Sequence, residues 1–269
     1  MEIYENRRAF RIWKDFELNI LYSGLADTGP EWRAEHVRSP FSRLYFILEG
    51  EGLARIGEKT LRLRAGSIYL IPAEMDFSYS CEEHMEQLFF HVNVNGQNGM
   101  DYFRDCRRLL EREGNPERIG LIRRLYRSEG AADAFRLKGM IWEELAAFAQ
   151  EGELPEPSEQ NYSELVSRFF FLAQNPVSAA SQIRGLAEAL HVSESTLSKR
   201  FRRETGITPG AYLNRLVLDR ACRLLLSGEM SIAEVAERLG FSDQFYFTKY
   251  FRRQMSMTPS AYRKLMRRG

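Results

Sequence analysis

Two stretches near the carboxyl end carry side chains suited to gripping nucleic acid. Ser195, Ser198, Lys199 and Arg202 fall at i, i+3, i+4 and i+7, and Phe245, Tyr246, Lys249 and Arg253 form an equivalent stripe further on. Helical spacing of this kind collects side chains on one face. A helix fits the major groove of B-form DNA, where a lysine bonds guanine acceptors, a serine bonds donors or acceptors, and an aromatic edge meets a thymine methyl. The flanking Arg200, Arg202, Arg203, Arg252 and Arg253 suit phosphates, which position a protein on the duplex without reading its sequence. A basic face alone could serve solubility, but Phe245 and Tyr246 on the same face have no such use.

These stripes sit inside an internal repeat. Leu186 to Glu194 matches Val235 to Asp243; after one inserted residue, Lys199-Arg200-Phe201-Arg202-Arg203 matches Lys249-Tyr250-Phe251-Arg252-Arg253. Thr208-Pro209-Gly210-Ala211-Tyr212 then matches Thr258-Pro259-Ser260-Ala261-Tyr262. Each copy reads as helix, tight turn, helix. Ser231 can cap a helix from Ile232 to Leu239, Gly240 suits a left-handed turn, and Ser242 or Asp243 can cap the helix after it. In the first copy His191 takes the glycine position, which predicts a less relaxed turn. Leu197 and Phe201, like Phe247 and Phe251, point into the domain, opposite the stripes. Thr208-Pro209 opens a helix from Tyr212 through Leu226 that can serve as a rigid connector. Units held about 34 Å apart would enter successive major grooves and cover about 15 to 20 base pairs.

The elements that must carry these residues fall into two parts. The 269 residues hold 38 Lys plus Arg and 37 Asp plus Glu, a formal charge of +1 that conceals an asymmetry. Residues 1–177 carry 22 basic and 29 acidic side chains, net −7, whereas residues 178–269 carry 16 and 8, net +8. A basic half behind an acidic one points to a nucleic-acid partner. Short apolar runs between glycine and proline turns predict strands over residues 1–96, among them Arg43 to Leu48, Leu53 to Ile56, Leu61 to Leu63, Ser67 to Ile71 and Gln87 to Val94. From Gly99 the period lengthens. Tyr102-Phe103, Cys106 and Leu109-Leu110, then Ile119 to Tyr126, then Phe135 to Phe148, predict three amphipathic helices. The expected division is a barrel at 1–96, a helical dimerisation region at 97–152, a Gly- and Pro-interrupted linker at 153–160 and a helical reader at 161–269, with reading units at 183–204 and 232–254. Cys81, Cys106 and Cys222 form no CxxC pair and predict buried thiols. No apolar run is long enough for a membrane span, and Met1 to Lys14 lacks a signal-peptide core, so a cytoplasmic location is expected.

The stretch Ile232-Ala233-Glu234-Val235-Ala236, Gly240-Phe241-Ser242-Asp243-Gln244 to Phe247, with the repeat motifs above, resembles the AraC/XylS family of bacterial transcription regulators over residues 161–269. The resemblance implies two helix-turn-helix subdomains joined by a linker helix and bound to double-stranded DNA, usually as activators that engage RNA polymerase. It places Ser195, Ser198, Lys199, Phe245, Tyr246 and Lys249 at base-reading positions. Met255-Ser256-Met257 departs from the usual pattern, which has a glycine after the second reading helix.

The front part is similar, over residues 20–95, to the cupin-like effector domain of such regulators, through Gly50-Glu51-Gly52, Leu63 to Pro72 and Gln87 to His91. The resulting expectation is an α+β protein: a jelly-roll barrel with dimerisation helices, then an all-α reader. Alternation puts Gln87, Phe89, His91 and Asn93 on one face of their strand, and Arg43, Tyr45, Ile47 and Glu49 on one face of another. An aromatic plate beside hydrogen-bonding groups suits a sugar, so Arg43, Tyr45, Glu49, Tyr79, Gln87, Phe89 and His91 are the candidate effector residues, with a carbohydrate as first candidate. Tyr79 matches a pocket tyrosine of the sugar-binding members. Glu49 stands where those members carry a cationic ligand residue, and its reversed sign implies a different effector. A homodimer controlled by a small molecule is the main expectation; a constitutive dimer with an empty barrel stays beside it. A cupin enzyme fused to the reader is the remote third reading. It would need a His-x-His metal cluster, and His36, His84, His91 and His191 make none, so no catalytic residue, metal or cofactor is expected.

Overall fold

The computed structural model describes residues 16–96, 98–152, 162–175, 177–179, 183–227 and 229–266; the expected linker at 153–160 lies outside them. The chain divides into two compact units. One runs through Met1–Asn95 and Asp101–Glu156, the other through Gly96–Met100 and Pro157–Gly269.

The first unit is antiparallel β with two helices behind it. Strands β1 (Glu17–Thr28), β7 (Met85–Asn95), β3 (Ser42–Ile56), β5 (Ser67–Ile71) and β8 (Leu110–Glu113) lie in that order in one sheet, while β2 (Arg33–Val37), β6 (Phe77–Ser80) and β4 (Lys59–Arg64) join the far half of β3 in a second. Sequence reasoning expects β3 to be two strands parted at Glu49 to Gly52. The chain instead runs through, because Gly50 adopts a φ of +66° and bends the strand from one sheet into the other without reversing it. A side chain at Gly50 would collide with the His84 carbonyl, so no other residue fits this crossing.

Alternation along β3 and β7 makes two layers. Leu44, Phe46, Leu88, Phe90 and Val92 point outward onto helices α1 (Pro116–Tyr126) and α2 (Ala131–Glu151), where Ile122, Ile141, Leu145 and Phe148 cover them. Each such fully buried side chain contributes about 1.5–3 kcal/mol. Tyr45, Ile47, Tyr69 and Ile71 point the other way, into the space between the sheets with Phe77, Leu63 and Met85. The buried Glu144 of α2 ties this side together by binding Arg112 of β8 and Arg118 of α1.

The first of the three expected helices does not form. Tyr102–Asp105 makes a single 3-10 turn, with the Asp101 carboxylate accepting from the Phe103 N–H at its start, and Leu110–Glu113 then pairs with the free edge of β5. The apolar spacing there reflects one turn plus a strand, since an open sheet edge satisfies more backbone than a short isolated helix would.

The second unit is helical: α3 (Glu164–Gln174), α4 (Ile183–Ala189), α5 (Glu194–Thr205), α6 (Pro209–Ser227), α7 (Ile232–Arg238), α8 (Gln244–Met255) and α9 (Pro259–Met266). Phe169 and Phe170 of α3, Leu197 and Phe201 of α5, and Tyr212 and Leu216 of α6 share one core, which Met100 also enters. The Tyr212 hydroxyl donates to the Asn98 carbonyl (2.7 Å), and the Asn98 amide donates to the Tyr162 hydroxyl (3.1 Å). The pentapeptide Gly96–Met100, although it follows β7, is thus part of the helical unit.

Candidate nucleic-acid interface and sensor pocket

The two helix-turn-helix repeats are built alike. In the first, the His191 N–H reaches the Glu188 carbonyl (3.0 Å) and the Val192 N–H the Ala187 carbonyl (3.0 Å). In the second, Gly240 and Phe241 make the equivalent bonds to Glu237 (2.9 Å) and Ala236 (3.0 Å). His191 adopts a φ of +57° where Gly240 has +77°, so the sequence departure leaves the turn intact and places a side chain in the left-handed region. The same holds at the ends of the reading helices. Gly206 after α5 and Ser256 after α8 are both left-handed, each sending its N–H back to Arg202 or Arg252 (2.9 Å). Helix starts are satisfied too: Ser193 caps α5, Ser231 and Glu234 form a reciprocal box on α7, and the Asp243 carboxylate accepts from both Phe245 and Tyr246 (2.8 Å each). The bond from Tyr246 foremost, with those from the Ser242 hydroxyl and from Phe245, holds the Asp243 carboxyl below its ordinary pKa.

These caps aim the stripes outward. Ser195 and Lys199 on α5 are exposed and Ser198 is half-buried, while Leu197 and Phe201 are wholly buried beneath them. On α8, Phe245 is 77% and Tyr246 60% exposed beside exposed Lys249, above buried Phe247 and Phe251. Lys199, Arg202, Lys249, Arg252 and Arg253 have no carboxylate partner among the described residues. Arg200 and Arg203 differ, lying 3.5 and 4.0 Å from Glu204, so their charge is shared within α5. The connector α6 is held to the first repeat by Tyr212 packed on Phe201 (5.7 Å) and to the second by the Tyr250 hydroxyl donating to the Asn214 carbonyl (2.7 Å). Its buried Cys222 thiol is pushed up to about 12.

In the first unit, the register of β3 on β7 pairs Arg43 with His91, Tyr45 with Phe89 and Ile47 with Gln87. Six of the candidate effector residues therefore gather between the sheets, since Tyr79 joins them through Phe77 (5.7 Å) and Trp32 (4.2 Å). Glu49 does not. A bulge between Ile47 and Glu49 leaves Leu48 unpaired, shifts the alternation by one, and turns Glu49 outward into solvent. Gly24 lies opposite Phe89, and a Cβ there would come within 2.7 Å of the ring.

The electrostatics of this face are unusual. Arg43 is 7% exposed; its guanidinium donates to Ser39 Oγ (2.6 Å) and lies 5.0 Å from the ring centres of both Phe41 and Phe77. Phe41 also stacks on His91 (4.6 Å). Burial and the Arg43 charge hold the His91 imidazole well below its ordinary pKa, so it is neutral, and burial pushes the Tyr45 hydroxyl up to about 12. Trp32, Ser39 and Phe41 escaped sequence reasoning because they lie between strands, where no alternation marks an inward side, and Phe77 because its alternation with Ser78 and Ser80 spans only four residues.

A basic, twice-repeated helix-turn-helix unit with exposed reading faces, carried behind a β-barrel, defines a DNA-binding transcription regulator. Residues 15–170 match the family described as an AraC-binding-like domain and residues 186–265 a helix-turn-helix domain, and the chain belongs to the AraC/XylS family. It is similar to the Msm operon regulatory protein of Streptococcus mutans (26% identity, 88% of this chain and 86% of that one). It is equally similar to the transcriptional activator RhaR of an Enterobacter species (26%, 88% and 89%). Its fold is that of ToxT from Vibrio cholerae in the structure with a bound unsaturated fatty acid (TM-score 0.57, 14% identity, 93% of this chain and 95% of that one).

Proposed function

We propose that this regulator is an activator, works as a homodimer in the cytoplasm, and is controlled by a small molecule held between the sheets of its barrel. The observation that carries the effector reading is the set Arg43, Tyr45, Gln87, Phe89 and His91: polar and aromatic groups facing inward where plain packing would place aliphatic ones. Similarity to proteins named as activators, including the lactose operon transcription activator of Staphylococcus xylosus, supports activation. The exposed start of α2, with Phe135 78% exposed, supports a dimer contact outside the chain. Control requires the effector to bind one state of the regulator more tightly than the other.

Base reading is assigned to Ser195, Ser198, Lys199, Phe245, Tyr246 and Lys249. Phosphate positioning falls first to Arg202, Arg252 and Arg253, with Arg200 and Arg203 available once Glu204 releases them. The test is capture of fragmented genomic DNA on the full-length protein, followed by sequencing. Two short motifs about one helical turn apart are expected; recovery without sequence preference would remove the reading assignments.

A further inference from the structure

Arg43 is an ion in the wrong place unless something else is meant to join it. Buried cations in folded proteins are paired with an acid, because removal from water is costly and only an opposite charge offsets it. Here one of the five guanidinium donors goes to Ser39 and the flat faces lie against Phe41 and Phe77, yet no carboxylate among the described residues lies within ion-pair reach. The directly opposite residue on β7 is His91, and the next inward neighbour on β3 is Tyr45. Gln87 adds a buried amide oxygen with no hydrogen-bond partner.

The same face is not fully packed. Tyr22, Trp32, Tyr79, Phe89 and His91 keep part of their surface uncovered, although Leu88, Phe90 and Val92, which alternate with Phe89 and His91 on β7, are closed off by the helices. Uncovered aromatic surface beside an unpaired buried guanidinium describes a site for an organic anion: a planar fork of donors for the charged end and aromatic walls for the rest.

Resting on the reading of the barrel as the effector site, we propose that the effector is a carboxylic acid whose carboxylate pairs with Arg43 and whose body lies against Tyr45, Phe89 and Trp32. One fixed positive charge beside a neutral histidine balances a single negative charge. A phosphate monoester, close to doubly charged at neutral pH, would leave an excess. A neutral sugar would leave Arg43 uncompensated, so the carbohydrate expectation narrows to sugar acids among other carboxylates.

The test compares the full-length protein with Arg43→Met, which keeps length and apolar volume and removes the charge. Melting temperature is measured without additive and with galacturonate, benzoate or octanoate, each against galactose, benzyl alcohol or octanol at matched ionic strength. Without additive, Arg43→Met is expected to melt at or above the wild type, since a binding residue is not optimised for stability. At least one acid is expected to raise the wild-type melting point where its neutral partner does not, and the variant should bind that acid about tenfold more weakly or worse. A variant that melts well below the wild type without additive would show Arg43 to be a structural residue with its own partner, and overturns the proposal. So does any set of additives that shifts both proteins alike, zero shift included. A neutral compound that stabilises both proteins and alters promoter binding would overturn the acid while leaving an effector-controlled barrel standing.

Discussion

Replacing His191 and Ser256 by glycine should make the DNA-reading unit more stable without changing what it reads. Both residues sit in the left-handed region, at φ values of +57° and +61°, and neither side chain makes a hydrogen bond among the described residues. For an L residue that conformation costs about 1–2 kcal/mol. Glycine removes the cost but brings an unfolded-state entropy penalty of about 0.5–1 kcal/mol. The net gain centres on about 0.75 kcal/mol per site. The two positions belong to different repeats and share no partner, so the gains should add to about 1–2 kcal/mol. For a unit of this size that is a rise of roughly 3–10 °C in midpoint. Far-ultraviolet circular dichroism follows mainly the helical unit, which holds most of the helix among the described residues. The tryptophans among the described residues, Trp32 and Trp142, belong to the other unit, so tryptophan fluorescence is an internal control whose midpoint should not move. A double variant melting at or below the wild type by dichroism would refute the strain argument. Tighter or altered DNA selectivity would show that the turns do more than connect helices.

Lys249→Ala should cost about 1–3 kcal/mol at the preferred site and relax preference at one base pair, measured by fluorescence anisotropy against single-base variants; an unchanged preference would strike Lys249 from the readers. Arg252→Ala should weaken binding to all sequences and flatten the salt dependence by about one ion, and Arg203→Ala, already shared with Glu204, should do so less; equal slopes for both would contradict that ordering. His91 sets an acid limit. The folded protein holds its pKa well below 6.5, so below about pH 6.5 the unfolded chain takes up a proton that the folded one refuses, and stability falls as pH drops towards the folded value. Each pH unit over which only the unfolded chain binds that proton costs about 1.4 kcal/mol. His91→Gln should flatten that limb in denaturant midpoints, whereas parallel curves would place the loss elsewhere.

The reader was legible because its signals are local. Caps at Ser231 and Asp243, the left-handed position at Gly240 and inward pairs four residues apart are all written within one turn of the chain, and an internal copy shows which features repeat. In the barrel, alternation identified the inward face of β3 and β7 correctly as far as Ile47 and failed at Glu49, since a single bulged residue reverses every orientation after it. The strand at Leu110–Glu113 was invisible for a different reason: it is called into existence by the open edge of β5, some forty residues earlier. The charge state of the pocket was equally hidden. Arg43 reads as an ordinary strand arginine until its register with His91 and its place between Phe41 and Phe77 are known.

The pentapeptide between Asn95 and Asp101 bears on how such regulators can be recombined. Because it belongs with the helical unit while both its flanks belong to the barrel unit, the chain passes between units three times instead of once. A crossover near residue 157 that grafts this reader onto a foreign sensor leaves Met100 and Asn98 behind, and with them a side chain of the Phe169–Phe201–Tyr212 core and the carbonyl that accepts from Tyr212. Exchange of parts at that junction therefore carries a built-in handicap. Barrel and reader are expected to be inherited as a matched pair, and chimaeras to recover stability when the five residues travel with the reader.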